Sequence, residues 1–448
     1  MFILGNSTYA LTTMLSAFLT GIALGGYLIR FILNRVKDRC ALFGWIQVLL
    51  GVTSALALPV LFTFGDPQAL AQFVIKNYGQ VYSTIFVRFV PAFGVMLIPA
   101  ILIGTTFPLV GQIGVRNLQE TGSTVGRIYA ANTLGNVLGA LLPGVLLLNW
   151  LGIQKGILAM AVLNVAIGFI ILFIRLMPAS RHRVWRFALP VMLVLIAVSM
   201  SRTPMDFQFP SQGELGYHQT LYYREGPLAT TKVFQNPSNK IKDMSIDGII
   251  IGGNGSIEFK QFLLAHLPKL LIEDVSTELS VGLGSGILAG ESSLHPRVRK
   301  ITSVEIEPSV IEGAMLFAEE NHNVLENPRS EIILDDIGNF LRTTDDLYQV
   351  ITADEKTAED FASNGFSYSL EYYELLRRHL APGGMVAQWV PAELPVKRFK
   401  MVLKTFSHSF PHMQLWYFLP AHQFGLRNAI LIGSNEQSPL TRILSVGN

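Results

Sequence analysis

Three glycines at alternate positions, Gly282, Gly284 and Gly286 in LSVGLGSG, follow a short apolar run and precede a helical pattern. A strand running into such a turn lets the backbone approach a ligand closely, because glycine has no Cβ and accepts positive φ. Glu305 stands 19 residues after Gly286, at the end of a second apolar run, SVEIE. A carboxylate at that distance can accept hydrogen bonds from ribose hydroxyls. The turn lacks the GxxxxGK[ST] lysine of a triphosphate cradle, so an adenosyl sulfonium without phosphates fits it better than a dinucleotide does. The alternatives are a plain turn for the glycines and a solvated strand end for Glu305.

The elements that must position these residues follow from patterning. QTLYYREG, ATTKVFQNPSN and KDMSIDGIIIGG predict an antiparallel meander, a small β subdomain over 217–260. IEFKQFLLAHLPKLL, residues 257–271, predicts a covering helix. LSVGL, KITSVEI, SEIIL, YQVITA and GMVAQWV then alternate with helix or loop, the rhythm of βαβ units and a parallel, Rossmann-type sheet over 261–448. MQLWYFL and NAILIGS predict a hairpin at one edge of that sheet.

The first two hundred residues are of another kind. Of the 448 residues 50% are hydrophobic and 15% charged, far from soluble averages. Apolar runs of about 20 residues, enough to cross about 30 Å of hydrocarbon, lie near 8–33, 41–64, 84–110, 127–150 and 153–176, with a shorter sixth at 185–200. They predict an α-helical transmembrane bundle of about six spans over 1–200, joined by a linker at 201–216 rich in Pro, Gly and Ser. The amino terminus lacks the basic n-region of a cleavable signal and reads as a retained span. NRVKDR, RLMPASRHRVWR and the turn flanked by Arg116 and Arg127 are basic, hence cytoplasmic by the positive-inside bias. A spanning sixth run then places the C-terminal domain on the periplasmic side; an interfacial one leaves it in the cytoplasm. Gly21 with Gly25, and Ala131 with Gly135 and Gly139, have the small-xxx-small spacing of close helix approach. A transport pathway would draw on Asn132, Asn136 and Arg88, but no Asp or Glu sits deep in any run. A net charge of +2 without a Lys/Arg block excludes an electrostatic nucleic-acid footprint. Cys40, the only cysteine, excludes an internal disulfide and a thiolate metal cage, and no metal site is expected.

LSVGLGSGILAG, HPRVRKITSVEIEPSVIEGAMLFAEENHNVLENPR, DDIGNFL, YYELLRRHLAPGGMVAQWV and FPHMQLWYF together resemble the spermidine synthase family. STYALTTMLSAFLTGIALGGYL and GRIYAANTLGNVLGALLPGVLL are similar to the major-facilitator-like bundle of its membrane-fused bacterial branch, which carries one further hydrophobic segment ahead of the first run seen here. The resemblance implies a methyltransferase-like sheet preceded by a small β domain. It also implies aminopropyl transfer from decarboxylated S-adenosylmethionine to an amine, with no tightly bound cofactor, in a bacterial inner membrane. The turn at Gly282, Gly284 and Gly286 would hold the adenosyl group, Glu305 the ribose, and Asp336, or Asp335 in its place, the adenine amino group. Asp354 would be the catalytic base.

Two stretches depart from the family. Where its catalytic loop reads YDVIxxDxxDP, this chain has YQVITADEKTA, with Thr357 and Ala358 in place of the second aspartate and the proline. Where its acidic helix reads DExxYxE, this chain has SIEFKQF, which puts Lys260 at the position of a tyrosine that helps hold the diamine. His266 and Pro268 remain, in the role of helix packing. Glu355, Glu359 and Asp360 are either compensating carboxylates or a solvated acidic turn. Three functions stay open: a membrane-anchored aminopropyltransferase, a membrane-bound sensor or binding module that keeps the ligand without the transfer, and a transporter with a regulatory soluble domain. The lipid bilayer and small-molecule ligands are the expected partners, and a homodimer is one possible assembly.

Overall fold

The computed structural model describes residues 8–64, 80–115, 121–144, 148–176, 191–192, 195, 199, 219–226, 228–255, 257–272, 274–355, 362–392, 394–418 and 428–436. The chain divides into two units, Met1–Phe207 and Gln208–Asn448.

The apolar runs of the first unit fold as helices: α1 (Thr8–Leu33), α2 (Arg39–Phe64), α3 (Gln80–Gly114), α4 (Thr121–Leu142) and α5 (Leu148–Leu176). Four segments, Leu11–Leu33, Arg39–Ala57, Phe93–Gly114 and Trp150–Arg175, are long and apolar enough to cross a bilayer. α4 is not among them, and it begins and ends earlier than the run expected at 127–150. Between the runs expected at 127–150 and 153–176, the backbone breaks at Gly152, with φ 70°, inside α5. The linker and almost all of the sixth run lie outside the described residues.

The two small-residue ladders behave differently. A Cβ on Gly21 or Gly25 of α1 would strike Ala100, Ile101 and Gly104 of α3, so backbone meets backbone there. Among the described residues, a Cβ on Gly135 or Gly139 of α4 would meet nothing within 4 Å, and no residue of α4 is buried. The expectation of close approach holds for the first ladder and not for the second. Spacing shows which residues could approach a neighbour; it does not supply one.

In the second unit, β1 (Gln219–Glu225), β2 (Thr230–Gln235), β3 (Lys242–Ile246) and β4 (Ile249–Gly253) form an antiparallel sheet in chain order. Asp247 and Gly248, both at positive φ, make the two-residue turn between β3 and β4, the geometry that suits the twist of a hairpin. After α6 (Glu258–Leu271) come β5 (Thr277–Val281), α7 (Ile287–Ser293), β6 (Lys300–Glu305), α8 (Pro308–Ala314), β7 (Ser330–Leu334), α9 (Ile337–Thr343) and β8 (Tyr348–Ala353). α10 (Leu370–Arg378), β9 (Leu380–Pro391), α11 (Val396–Ser409), β10 (His412–Phe418) and β11 (Asn428–Ser434) complete it.

The larger sheet runs β10-β11-β9-β8-β5-β6-β7. β9, β8, β5, β6 and β7 are parallel neighbours, while β10 and β11 are the antiparallel edge hairpin expected from the sequence. Helices cover both faces, as a parallel sheet requires. On one, Leu264, Ala265, Leu267 and Leu271 of α6 pack on Met385, Ala387, Trp389, Ile430 and Ile432. On the other, Tyr372, Tyr373 and Leu376 of α10 and Phe406 of α11 pack on Ile351, Val386, Val390 and Leu431. This C-terminal α/β architecture is the one the patterning predicts.

Candidate active site at the carboxyl edge of the parallel sheet

Register fixes the site. Val281 of β5 pairs with Val304 of β6 on one side and Ala353 of β8 on the other, and Ala353 pairs with Gln388 of β9. One residue further along each strand, Trp389, Asp354, Gly282 and Glu305 therefore stand side by side at the carboxyl edge. The crevice outside that edge is where open α/β sheets bind ligands.

The glycine turn is built for close approach, though its three members differ. Gly282, Gly284 and Gly286 all have positive φ, of 82°, 56° and 79°. Among the described residues, a Cβ on Gly282 would meet nothing within 4 Å, and one on Gly284 would only reach Ile251 O at 4.0 Å. Room for a ligand lies over these two. At Gly286 a Cβ would press on Asn321 Nδ2 at 2.9 Å and Val324 at 3.2 Å, so this glycine serves the left-handed N-cap of α7 and the packing behind it. Ser285, fully buried, donates to Gln261 Oε1 at 2.9 Å, and Gln261 Nε2 donates to Gly253 O at 2.9 Å, tying the turn to α6 and to the end of β4.

Glu305 is not a solvated strand end: it is 6% exposed. Its Oε1 accepts from the backbone N–H groups of Ile306 (2.9 Å) and Glu307 (3.0 Å), and its Oε2 from that of Leu283 (3.0 Å), with Gly284 a further donor. Burial pushes its carboxyl group above the ordinary range, and the backbone donors pull it back. The carboxylate thus braces the glycine turn, and most of its roughly four lone-pair sites are engaged.

Asp335 and Asp336 close β7. Asp336 is the N-cap of α9, its Oδ1 accepting from Asn339 N at 2.9 Å, while Asp335 accepts from Asn339 Nδ2 at 2.9 Å and from Asp336 N at 2.8 Å. Both lie beyond the end of the strand next to the one bearing Glu305, with Asp336 exposed.

Asp354 is not free. Lys260 of α6, 2% exposed, brings its ammonium to 2.7 Å from Asp354 Oδ1 and 4.3 Å from the centroid of the Trp389 ring. Carboxylate and indole face together form a cage for one cation, and the cation in it belongs to the chain. Glu355 is not a solvated turn either. Ser367 Oγ donates to its Oε1 at 2.6 Å and Tyr372 OH to its Oε2 at 2.9 Å, and Tyr368 OH donates to its backbone carbonyl at 2.9 Å. Desolvation raises its carboxyl group to about 7; the bonds from Ser367 and Tyr372 oppose this, and the charges of Asp336 and Asp354 reinforce it. Thr357, Ala358, Glu359 and Asp360 lie outside the described residues.

A family model for the spermine/spermidine synthase domain matches residues 258–439. That stretch of the C-terminal unit is a spermine/spermidine synthase domain. Polyamine aminopropyltransferase 1 of Streptomyces coelicolor is 24% identical over 398 residues, covering 86% of this chain and 70% of its own. That of Oceanobacillus iheyensis is 24% identical over 409 residues, 88% of this chain and 73% of its own. Both matches are longer than the C-terminal unit and so take in much of the helical one. A solved spermidine synthase in complex with the transition state analogue AdoDATO aligns with TM-score 0.45 and 20% identity, over 50% of this chain and 76% of that one. The named relatives are transferases.

Within the spermine/spermidine synthase domain, the structure brings Gly282, Gly284, Glu305 and Asp354 to one edge and sets Asp335 and Asp336 beside them. Pattern reading passed over Trp389, Gln261, Ser367 and Tyr372. A large aromatic or a polar group inside an apolar strand or helix, as in VAQWV and KQFLL, is the signal that marks the first two. Ser367 and Tyr372 carry no such mark. His266, partly exposed, links α6 to α7 through Nε2, 2.9 Å from Glu291 Oε2, and Pro268 is buried in α6, in keeping with a helix-packing role.

Proposed function

We propose that the chain is a membrane-anchored transferase of aminopropyltransferase type. Its C-terminal unit binds an S-adenosyl donor, decarboxylated S-adenosylmethionine, and passes an aminopropyl group to an amine acceptor. The observation that carries this reading is the row Asp354, Gly282, Glu305 at adjacent strand ends, with space over Gly282 and Gly284 among the described residues. The match of residues 258–439 to the spermine/spermidine synthase domain and the names of the relatives support it. In this reading the adenosyl group lies over the glycine turn, the ribose beside Glu305 and the adenine near Asp335 and Asp336. The acceptor nitrogen attacks the methylene carbon next to the sulfonium: the N–C bond forms, the C–S bond breaks, the thioether leaves with its electron pair, and Asp354 takes the proton. Lys260, 2.7 Å from Asp354 Oδ1, holds the carboxylate in place at the strand end.

The apolar helices of the first unit would anchor the protein in a bacterial inner membrane. The basic loops favour a periplasmic C-terminal unit if the sixth run spans. A reporter fused after Asn448 tests that topology, and cytoplasmic activity rejects a periplasmic side. For the transfer, purified full-length protein is incubated with decarboxylated S-adenosylmethionine and a panel of amines, and methylthioadenosine release is followed. Product with at least one amine, and loss of donor binding in Glu305→Ala, are expected. Failure of the unaltered protein to bind the donor rejects the reading. The Lys260–Asp354 pair favours a second reading, a binding module without transfer, for which binding persists and no amine yields product.

A further inference from the structure

We propose that the outer face of α11, with the exposed side chains of β10 beside it, docks on an anionic lipid surface and holds the C-terminal unit against the bilayer. This rests on the membrane anchoring proposed above and adds to it the face of the C-terminal unit that meets lipid.

At about 3.6 residues per turn, Lys397, Lys400, Met401, Lys404 and His408 share one face of α11, opposite Phe399 and Phe406, which pack into the core of the sheet. All five are exposed, Met401 by 60%. The helix, VKRFKMVLKTFSHS, holds four Lys/Arg and no Asp or Glu, whereas α6 has Glu258 and α10 sets Glu371 and Glu374 against Arg377 and Arg378. Among the described residues no carboxylate pairs with Lys397, Lys400 or Lys404. Lys397 and Arg398 stand in the first turn, where the helix dipole disfavours a cation, so the charge does not serve the helix's own stability. Apolar side chains are exposed around the lysines. Val396 is 69% exposed, and Met413 of β10 packs in the same core as Phe399 and Phe406, so Leu415 and Tyr417, on the same face of that strand, lie on the α11 side and are exposed too.

Charge of a single sign interleaved with apolar groups fits a headgroup surface, which pairs with the lysines and takes the apolar tips at its acyl boundary. A dissolved polyanion offers only the first. The same chain carries four segments long and apolar enough to cross a bilayer, so a lipid surface is held at high effective concentration near α11, and a weak patch suffices. α11 starts directly after β9 ends, which puts its lysine-rich first half at the level of the sheet's carboxyl edge. Docking keeps that edge near the headgroups.

The test uses full-length protein with Cys40→Ser and Met401→Cys, a fluorophore on the new thiol, and nanodiscs of phosphatidylcholine alone or mixed equally with phosphatidylglycerol. Quenching by lipid-borne spin labels reads the docked fraction. It is expected to be strong in the mixed discs, weak in phosphatidylcholine, and to fall as salt is raised. Each lysine near an anionic surface shifts the balance about fivefold, so Lys397→Gln, Lys400→Gln and Lys404→Gln together lower the docked-to-free ratio about a hundredfold. Lys397→Arg, Lys400→Arg and Lys404→Arg together leave it unchanged. The same fluorophore at Leu270→Cys, exposed on α6 across the sheet, stays unquenched. Equal quenching in both lipids, quenching that survives the three Lys→Gln changes, or equal quenching at position 270 overturns the proposal. So does a fluorophore at position 401 already shielded in detergent, which means that protein covers the face. A full-length protein that stays out of the discs rejects the anchoring, and quenching of the same fluorophore by added vesicles of the two compositions then decides the lipid contact separately.

Discussion

The two sides of the sheet's carboxyl edge are built on opposite plans. At the glycine turn, Gly282 and Gly284 leave space among the described residues, and the buried carboxylate of Glu305 is spent on holding backbone in a left-handed turn. At the acceptor side, Asp354, Lys260 and Trp389 fill the corner with their own side chains. One end of the edge leaves space beside its backbone, and the other fills its corner with an ion pair and an indole. Emptiness at one end and self-occupation at the other are both positive features of this chain.

The largest expected effect breaks the acceptor side. Asp354→Asn leaves the Lys260 ammonium buried without a partner, which costs about 3–5 kcal/mol. Thermal unfolding followed by tryptophan fluorescence measures it, and a loss below about 1 kcal/mol would mean that water reaches the pair and the corner is open. Next comes Glu355, the neighbour of Asp354 held by Ser367 and Tyr372. Its folded value of about 7 lies above the ordinary 4.5, so the native state binds the proton more tightly than the unfolded chain. That contribution is complete below pH 4.5 and is lost as pH rises through about 7, by about 3 kcal/mol in all. Glu355→Gln should flatten the stability profile across that window; an unchanged slope would show the group already ionised.

A smaller effect sharpens the donor side. Gly282→Ala puts a Cβ at φ 82°, costing about 1–2 kcal/mol of backbone strain with no steric clash. Adenosyl binding should fall by tenfold or more, because the new methyl group takes the ligand's space. Stability lost without any change in affinity would move the ligand away from the turn. Smallest is Asp336→Ala, which removes the α9 cap and costs about 1 kcal/mol. A parallel loss of adenosyl affinity, measured by calorimetry, separates an adenine contact from a cap alone.

Much of the fold was legible because its signals are local. The strands SEIIL and YQVITA form over the residues predicted, since a short β-rich run bounded by turn residues has few alternatives. The extent of α4 was not, because an apolar run shows that a helix can form without showing where a chain must turn. At the site, the glycines and Glu305 were legible through spacing along one β-turn-β stretch. The tether from Lys260 to Asp354 spans 94 positions of sequence, and no periodicity reports a contact of that range.

The sequence by itself determined the classes of element, the order of strands from meander to parallel sheet to edge hairpin, and the presence of a flexible-backbone turn followed by an acid. These depend on residue type and short-range spacing, which backbone sterics and hydrophobic period read directly. Only the tertiary structure decided that Gly286 packs while Gly282 and Gly284 stay open, that Glu305 braces the turn, and that Lys260 lies in the Asp354 cage. Each of those depends on which side chain from a distant element arrives at the same point, and strand register together with helix packing sets that meeting.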